Sequence, residues 1–255
     1  WLGEHFHSSL GDVKSAMEIF LLGGVNHMFY HGTNFSPEDA PFPGWLFYAA
    51  VHFTPHNPFW NDFAQFNRYL MRCQSFLQAG TPDNDILLYF PASDVWSTPG
   101  KALLEHFDGL NVRFNGTSTR ISAETLLKSG YAWDYISDAM ISRLTVRDGE
   151  LLTGSGVAYR VLYLPECRYM PAETFARLIS LAEQGATIVV HKALPAQMAG
   201  FRDWQAQEAG YRQRKDMLSF QSVTPEVRQA KVGKGRIFMG DDIHALMAVA
   251  GLRRE

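Results

Sequence analysis

The stretch "YRVLYLPECRYMPAETFARLISLAEQGATIVVH", residues 159–191, decides the architecture. "YRVLYLP" (159–165) is a short apolar run of the kind buried on both faces of a sheet, residues 171–184 have the length of a helix, and "ATIVVH" (186–191) is a second apolar run. Strand, helix, strand is the unit from which parallel sheets are built. The same texture continues outward. "DILLYF" (85–90), "AWDYIS" (132–137) and "GRIFMGD" (235–241) read as further strands, and residues 99–107, 121–129, 201–209 and 242–250 as helices. Five apolar strands alternating with helices predict a parallel sheet covered on both faces, a doubly wound α/β domain, over residues 81–255. Residues 192–233 exceed what one crossover needs, so an insertion or an extra hairpin is expected there.

Residues 1–80 have a different texture. "SSLGDVKSAMEIFLL" (8–22) predicts a helix capped by Ser8 or Ser9, with Asp12 in its first turn and Val13, Ala16, Met17, Phe20 and Leu21 on one face. Gly23 and Gly24 end it, and "VNHMFYH" (25–31) reads as a buried strand. Residues 59–79 predict a long helix with Phe63, Phe66, Leu70, Cys73, Phe76 and Leu77 as its apolar stripe. Between them lies a connection, residues 32–58, with five prolines; "GWLFYAAVHF" inside it fits either a short helix or an extended piece. Loops of this length in compact domains are usually functional.

Bulk properties narrow the function. The 255 residues carry a net charge of −3 with 46% hydrophobic and 19% charged residues, and no Lys/Arg block occurs. Nucleic acid and anionic membranes are therefore poor partners, and no apolar run reaches the length of a bilayer span. Cys73 and Cys167 match no metal spacing and read as reduced thiols. The chain opens at Trp1 with neither Met nor signal peptide, which leads us to expect a piece of a longer protein.

Six of the nine histidines fall within residues 1–56: His5, His7, His27, His31, His52 and His56. In a strand, residues two apart share a face, so His27, Phe29 and His31 would point one way and Asn26 and Tyr30 the other. His31 would lie at the strand's C-terminal end, where parallel α/β folds bind ligands. Imidazoles and amides beside Trp45, Phe47, Tyr48, Phe53, Phe59 and Trp60 suit a sugar, whose rings stack on aromatics and whose hydroxyls need polar partners. The competing reading is a set of satisfied core histidines and loop-packing aromatics. Glycoside hydrolysis requires two carboxylates. Of Glu4, Asp12, Glu38, Asp39 and Asp62, only Glu4 is a local candidate, and no convincing pair is present. Cys167 follows a strand as amidotransferase nucleophiles do, but its neighbours Glu166 and Arg168 do not make the tight elbow that chemistry needs, so it reads as an ordinary thiol.

"WLGEHF", "GGVNHMFYHGTNFSPEDAPFPGWLFYAAVHF" and "RCQSFLQAGTPDNDILLYFP" together resemble glycoside hydrolase family 106, the α-L-rhamnosidases, densely over residues 1–96. The resemblance implies that residues 1–80 are the C-terminal portion of a (β/α)8 barrel, with 8–22 its seventh helix, 25–31 its eighth strand and 59–79 its last helix, and that residues 81–255 are the flavodoxin-like or glutamine-amidotransferase-like domain that follows the barrel. It implies an inverting hydrolase of terminal α-L-rhamnose with a calcium ion contacting the sugar in the full-length protein. The acid and base are then expected upstream of Trp1, leaving pocket-wall roles for Asn26, His27, His31 and Trp45. No metal ligand is assignable within the chain. The expected partner is a rhamnose-containing glycoside, the expected location periplasmic or secreted in a bacterium, and the isolated chain is expected to be inactive and to self-associate. The alternative is a non-catalytic α/β module for carbohydrate binding or assembly.

Overall fold

The computed structural model describes residues 4–31, 34–48, 51–97 and 114–254. The chain divides into two compact units, Trp1–Thr81 and Pro82–Glu255.

The first unit is built on two helices. Helix α1 (Leu10–Leu22) starts at a capping box in which Ser9 and Asp12 bond each other's backbone N–H, and it ends at Gly23. Helix α2 (Trp60–Ala79) carries the apolar stripe Phe63, Phe66 and Leu70, which packs with Val13, Met17, Val51 and Phe53. The predicted stripes are longer than the buried ones: Phe20, Phe76 and Leu77 are exposed.

Residues 25–31 do not form a strand. A strand exists only where a neighbour pairs with it, and no described segment does. Side chains of α2 satisfy part of this backbone instead, through Met28 N–H to Gln74 Oε1 (2.7 Å) and Gln78 Nε2 to the Asn26 carbonyl. The alternation of faces is nevertheless present. Met28 and Tyr30 pack on the aromatic cluster, whereas His27, Phe29 and His31 are exposed. Tyr30 donates to Asn67 Oδ1 and touches Phe53 and Phe63, and burial pushes its hydroxyl up to about 12. Residues 44–48 and 51–53 are neither helix nor strand.

The second unit is α/β. Its strands are β1 (Ile86–Tyr89), β2 (Trp133–Ile136), β3 (Thr145–Arg147), β4 (Glu150–Leu152), β5 (Ala158–Tyr159), β6 (Val161–Leu164), β7 (Tyr169–Pro171), β8 (Thr187–His191), β9 (Gln197–Ala199), β10 (Gln221–Ser222), β11 (Val227–Val232) and β12 (Gly235–Gly240). Its helices are α3 (Ala92–Ser97), α4 (Ser118–Lys128), α5 (Asp138–Ile141), α6 (Ala172–Gln184), α7 (Trp204–Asp216) and α8 (Ile243–Val249). The central sheet runs β10-β11-β12-β8-β6-β1-β2. Five of these strands are parallel, and β11 and β10 add an antiparallel edge. In chain order the parallel strands lie 2-1-3-4-5 across the sheet. The helix expected at 99–107 lies outside the described residues, and the surplus in 192–233 becomes β9, α7, β10 and β11.

The central strands β1, β6 and β8 are covered on both faces, which is why they are apolar nearly throughout, whereas β11 beside the antiparallel edge alternates. Leu87, Tyr89, Leu162, Leu164, Ile188 and Val190 face a core with Phe175, Leu178 and Leu181 of α6 and Tyr211 of α7. Ile86, Leu88, Tyr163, Val189 and Phe238 face the other, with Leu126 of α4 and Leu246 and Met247 of α8. Removing a buried leucine such as Leu88 to alanine from such a core costs about 2–5 kcal/mol.

Candidate functional site

The residues assigned to the pocket wall all lie on the surface of the first unit. His27 stacks on Phe29 at 4.7 Å with the rings 5° from parallel. His31 meets Phe47 at 5.3 Å, which ties the 25–31 segment to the loop that carries Trp45. Trp45 is 60% exposed; its N–H donates to Ser36 Oγ at 2.8 Å, closing that loop. The closure needs Gly44, whose φ is +90° and whose Cβ, if present, would lie 2.5 Å from Ser36 Oγ. Asn26 contributes its carbonyl to Gln78, and its side chain is exposed. His31 and the aromatic loop are thus brought together, while among the described residues no hydrogen bond or ring contact joins Asn26 or His27 to Trp45.

The histidine excess does not make a metal centre. Among the described residues no group of three His, Cys, Asp or Glu side chains could hold an ion. Instead the histidines pair with rings. His52 is buried beneath Phe6 (5.3 Å) and the edge of His5 (4.8 Å), and His56 meets Phe42. His5 Nε2 in turn reaches the Tyr48 carbonyl at 3.3 Å. His52 has a left-handed backbone (φ 58°), and Asn57 Nδ2 donates to its carbonyl and to that of Val51. Its Nε2 is buried without a hydrogen-bond partner. Burial first, and the nearby His5 second, lower its pKa.

The carboxylates of this unit have local roles. Glu4 is exposed and pairs with His7 at 3.0 Å. Asp12 is the capping-box acid, and the N–H of Ser9 holds its carboxyl below the usual range. Glu18, which the sequence reading passed over, is held by Lys14 and by the Tyr69 hydroxyl. Asp62 stands in the first turn of α2, and Glu38 and Asp39 lie exposed on a turn.

In the second unit, polar side chains gather at the C-terminal ends of the parallel strands. Asp94 accepts from the backbone N–H groups of Arg168 (2.7 Å) and Tyr169 (2.5 Å). Asp138 accepts from Tyr89 Oη (2.9 Å) and Thr174 Oγ1 (2.7 Å). Lys192 pairs with Glu166 at 2.6 Å, and His191 Nε2 contacts the Asp241 carbonyl at 3.1 Å. Cys167 sits among these acids, buried, and burial followed by the charges of Asp94, Asp138 and Glu166 pushes its thiol up to about 12. A nucleophilic cysteine needs the opposite environment. These carboxylates organise loops at the sheet edge, and the thiol is an ordinary one.

The first unit thus presents aromatic rings beside the imidazoles of His27 and His31 on an open surface, and the chain's relatives are glycoside hydrolases. The family model for the α-L-rhamnosidases of glycoside hydrolase family 106 matches residues 3–255, and the chain belongs to that family. A protein of Formosa agariphila named "Putative beta-glucuronidase" is 25% identical over 231 residues, which is 90% of this chain and 18% of that protein. The rhamnosidase from Novosphingobium sp. PP1Y superposes with a TM-score of 0.59 at 18% identity, covering 98% of this chain and 22% of its own, a likeness of fold. A GH42 β-galactosidase from G. stearothermophilus reaches only 0.47 at 12% identity, over 82% of this chain and 36% of its own. The chain therefore spans about a fifth of the first two relatives.

Proposed function

We propose that this chain is part of an inverting glycoside hydrolase that releases terminal α-L-rhamnose. The family match over residues 3–255 carries the reading. Residues 1–80 act as the C-terminal end of a (β/α)8 barrel, and residues 81–255 as a flavodoxin-like or glutamine-amidotransferase-like accessory domain. Three observations support this division of labour. The segment 25–31 keeps the alternation of a strand without a pairing partner. Ile19, Leu22, Phe29 and Phe76 of the first unit are 70–89% exposed, an apolar surface suited to burial against further barrel elements. The acids of this unit have local roles or lie on exposed turns rather than forming a pair across a gap.

In this reading Asn26, His27, His31 and Trp45 line one side of the pocket. Trp45 stacks on the sugar, and the imidazoles and amide exchange hydrogen bonds with its hydroxyls. An inverting mechanism sets a general acid and a general base about 6.5–9.5 Å apart with water between them; both are placed outside this chain, so the chain alone is inactive. Calcium, if the complete enzyme uses it, is held by residues outside those described. The enzyme meets its rhamnosylated glycosides in the periplasm or outside the cell, and the chain by itself self-associates through the exposed apolar face.

The test is hydrolysis of a chromogenic α-L-rhamnoside with calcium present, by this chain and by its longest natural precursor. Activity in the precursor alone is the expected result. Activity of the isolated chain would overturn the placement of the acid and base. Inactivity of both would overturn the rhamnosidase reading.

A further inference from the structure

A cleft of about 630 Å³ opens between β9 and α7 of the second unit, within the size range of small-molecule sites. Its lining is unusual for a polar helix. Phe201 is 89% exposed and Trp204 is 46% exposed, and neither ring stacks on another among the described residues. Around them stand Gln197, Glu208, Arg212 and Lys215. Arg212 and Glu208 are paired at 2.5 Å. Lys215 spends one N–H on the Pro195 carbonyl (2.8 Å), which also accepts from the buried Tyr211 hydroxyl (2.8 Å). Two ammonium hydrogens remain for a ligand. The Pro195 carbonyl thereby anchors both Tyr211 and Lys215, which line the cleft with the two exposed rings.

We propose that this cleft binds a neutral sugar ring. Exposed aromatic faces suit the C–H face of a pyranose, and an amide, a carboxylate and an ammonium supply both donors and acceptors for hydroxyls. The charges cancel: Glu208 and Asp216 against Arg212 and Lys215. A phosphate or a uronate would need an excess of positive charge, and a purely apolar ligand would strand the polar groups. The ligand class follows from the cleft and does not depend on which glycoside the enzyme cleaves.

The test uses the full 255-residue chain, with saturation-transfer NMR and titration against methyl α-L-rhamnoside, methyl β-D-galactoside and methyl β-D-glucuronide. A neutral pyranoside should bind saturably. Trp204→Ala should weaken binding by about tenfold or more, corresponding to about 1.4 kcal/mol, without altering the melting temperature. Trp96→Ala, at an exposed aromatic outside the cleft, should leave this binding unchanged, which separates the cleft from general stacking on exposed rings. A second variant, Glu208→Gln, should also weaken it and serves if Trp204→Ala does not fold. No saturable binding of either neutral sugar, binding that survives both cleft substitutions, or tighter binding of the glucuronide would each overturn the proposal. Failure of the chromogenic hydrolysis assay would leave these outcomes unaffected.

Discussion

Asp138 offers the sharpest test of how the sheet edge of the second unit is held. Its Oδ1 accepts from Tyr89, whose side chain is fully buried, and from Thr174 at the start of α6. Replacing Asp138 with alanine strands both hydroxyls. A hydrogen bond to a charged partner is worth about 1.5–3 kcal/mol. Tyr89 has no access to water and loses its share in full, while Thr174, near the helix start, can rotate towards another acceptor. The expected loss is about 3 kcal/mol in total. Asp138→Asn keeps a carbonyl oxygen able to accept both hydrogens and should lose only about 1 kcal/mol. In urea unfolding followed by circular dichroism, a slope near 2 kcal/mol/M turns the alanine loss into a midpoint lower by about 1.5 M. Equal midpoints for the alanine and asparagine variants would refute the reasoning. So would an alanine variant within about 0.5 kcal/mol of the parent, since that is the range of a surface site with no special role.

Other expectations follow from the same geometry. A Cβ on Gly235 would lie 2.3 Å from the Ala186 carbonyl and 2.4 Å from that of Ala182, so Gly235→Ala should cost about 3 kcal/mol or prevent folding. Gly154→Ala, with open space around it, should be neutral in the same melt. Iodoacetamide at neutral pH should label Cys167 only after unfolding, because burial pushes its thiol up to about 12; prompt labelling of the folded chain would contradict this. Burial lowers the pKa values of both His52 and His191, so the unfolded chain binds protons first as pH falls. Their effect is absent above the unfolded value and destabilising below about pH 6.5. The urea midpoint should therefore drop between about pH 7 and pH 5, and His191→Gln should flatten that slope. In the complete enzyme, Trp45→Ala should lower kcat/KM for an α-L-rhamnoside about tenfold with an unchanged melting temperature.

Much of the second unit was legible because the central parallel strands β1, β6 and β8 are short runs apolar on both faces, so composition alone marks them. The order 2-1-3-4-5 was not, since it depends on which way each crossover returns. The small sheet β3-β4-β5 escaped notice although its signal is present. Asp148-Gly149, at φ 53° and 86°, forms the two-residue turn that pairs Arg147 with Glu150. Helix α7 was read as 201–209 rather than Trp204–Asp216 because its residues are mostly polar and show little period. In the first unit the capping box and the aromatic stripe located both helices. The segment 25–31 was readable as an alternation, but a ladder is a property of two segments, and one sequence stretch cannot supply its own neighbour. The histidine excess was legible as a count, but the contacts it makes were not: His5, His27, His31, His52 and His56 each meet another ring edge-on or face-on.

The strand at the antiparallel edge of the large sheet, β10, is two residues long, and both Gln221 and Ser222 are exposed. A free strand edge is a template on which another copy of a protein can extend the sheet, and a long flat one invites fibrous growth. Here that flank offers a visiting chain almost nothing to register against.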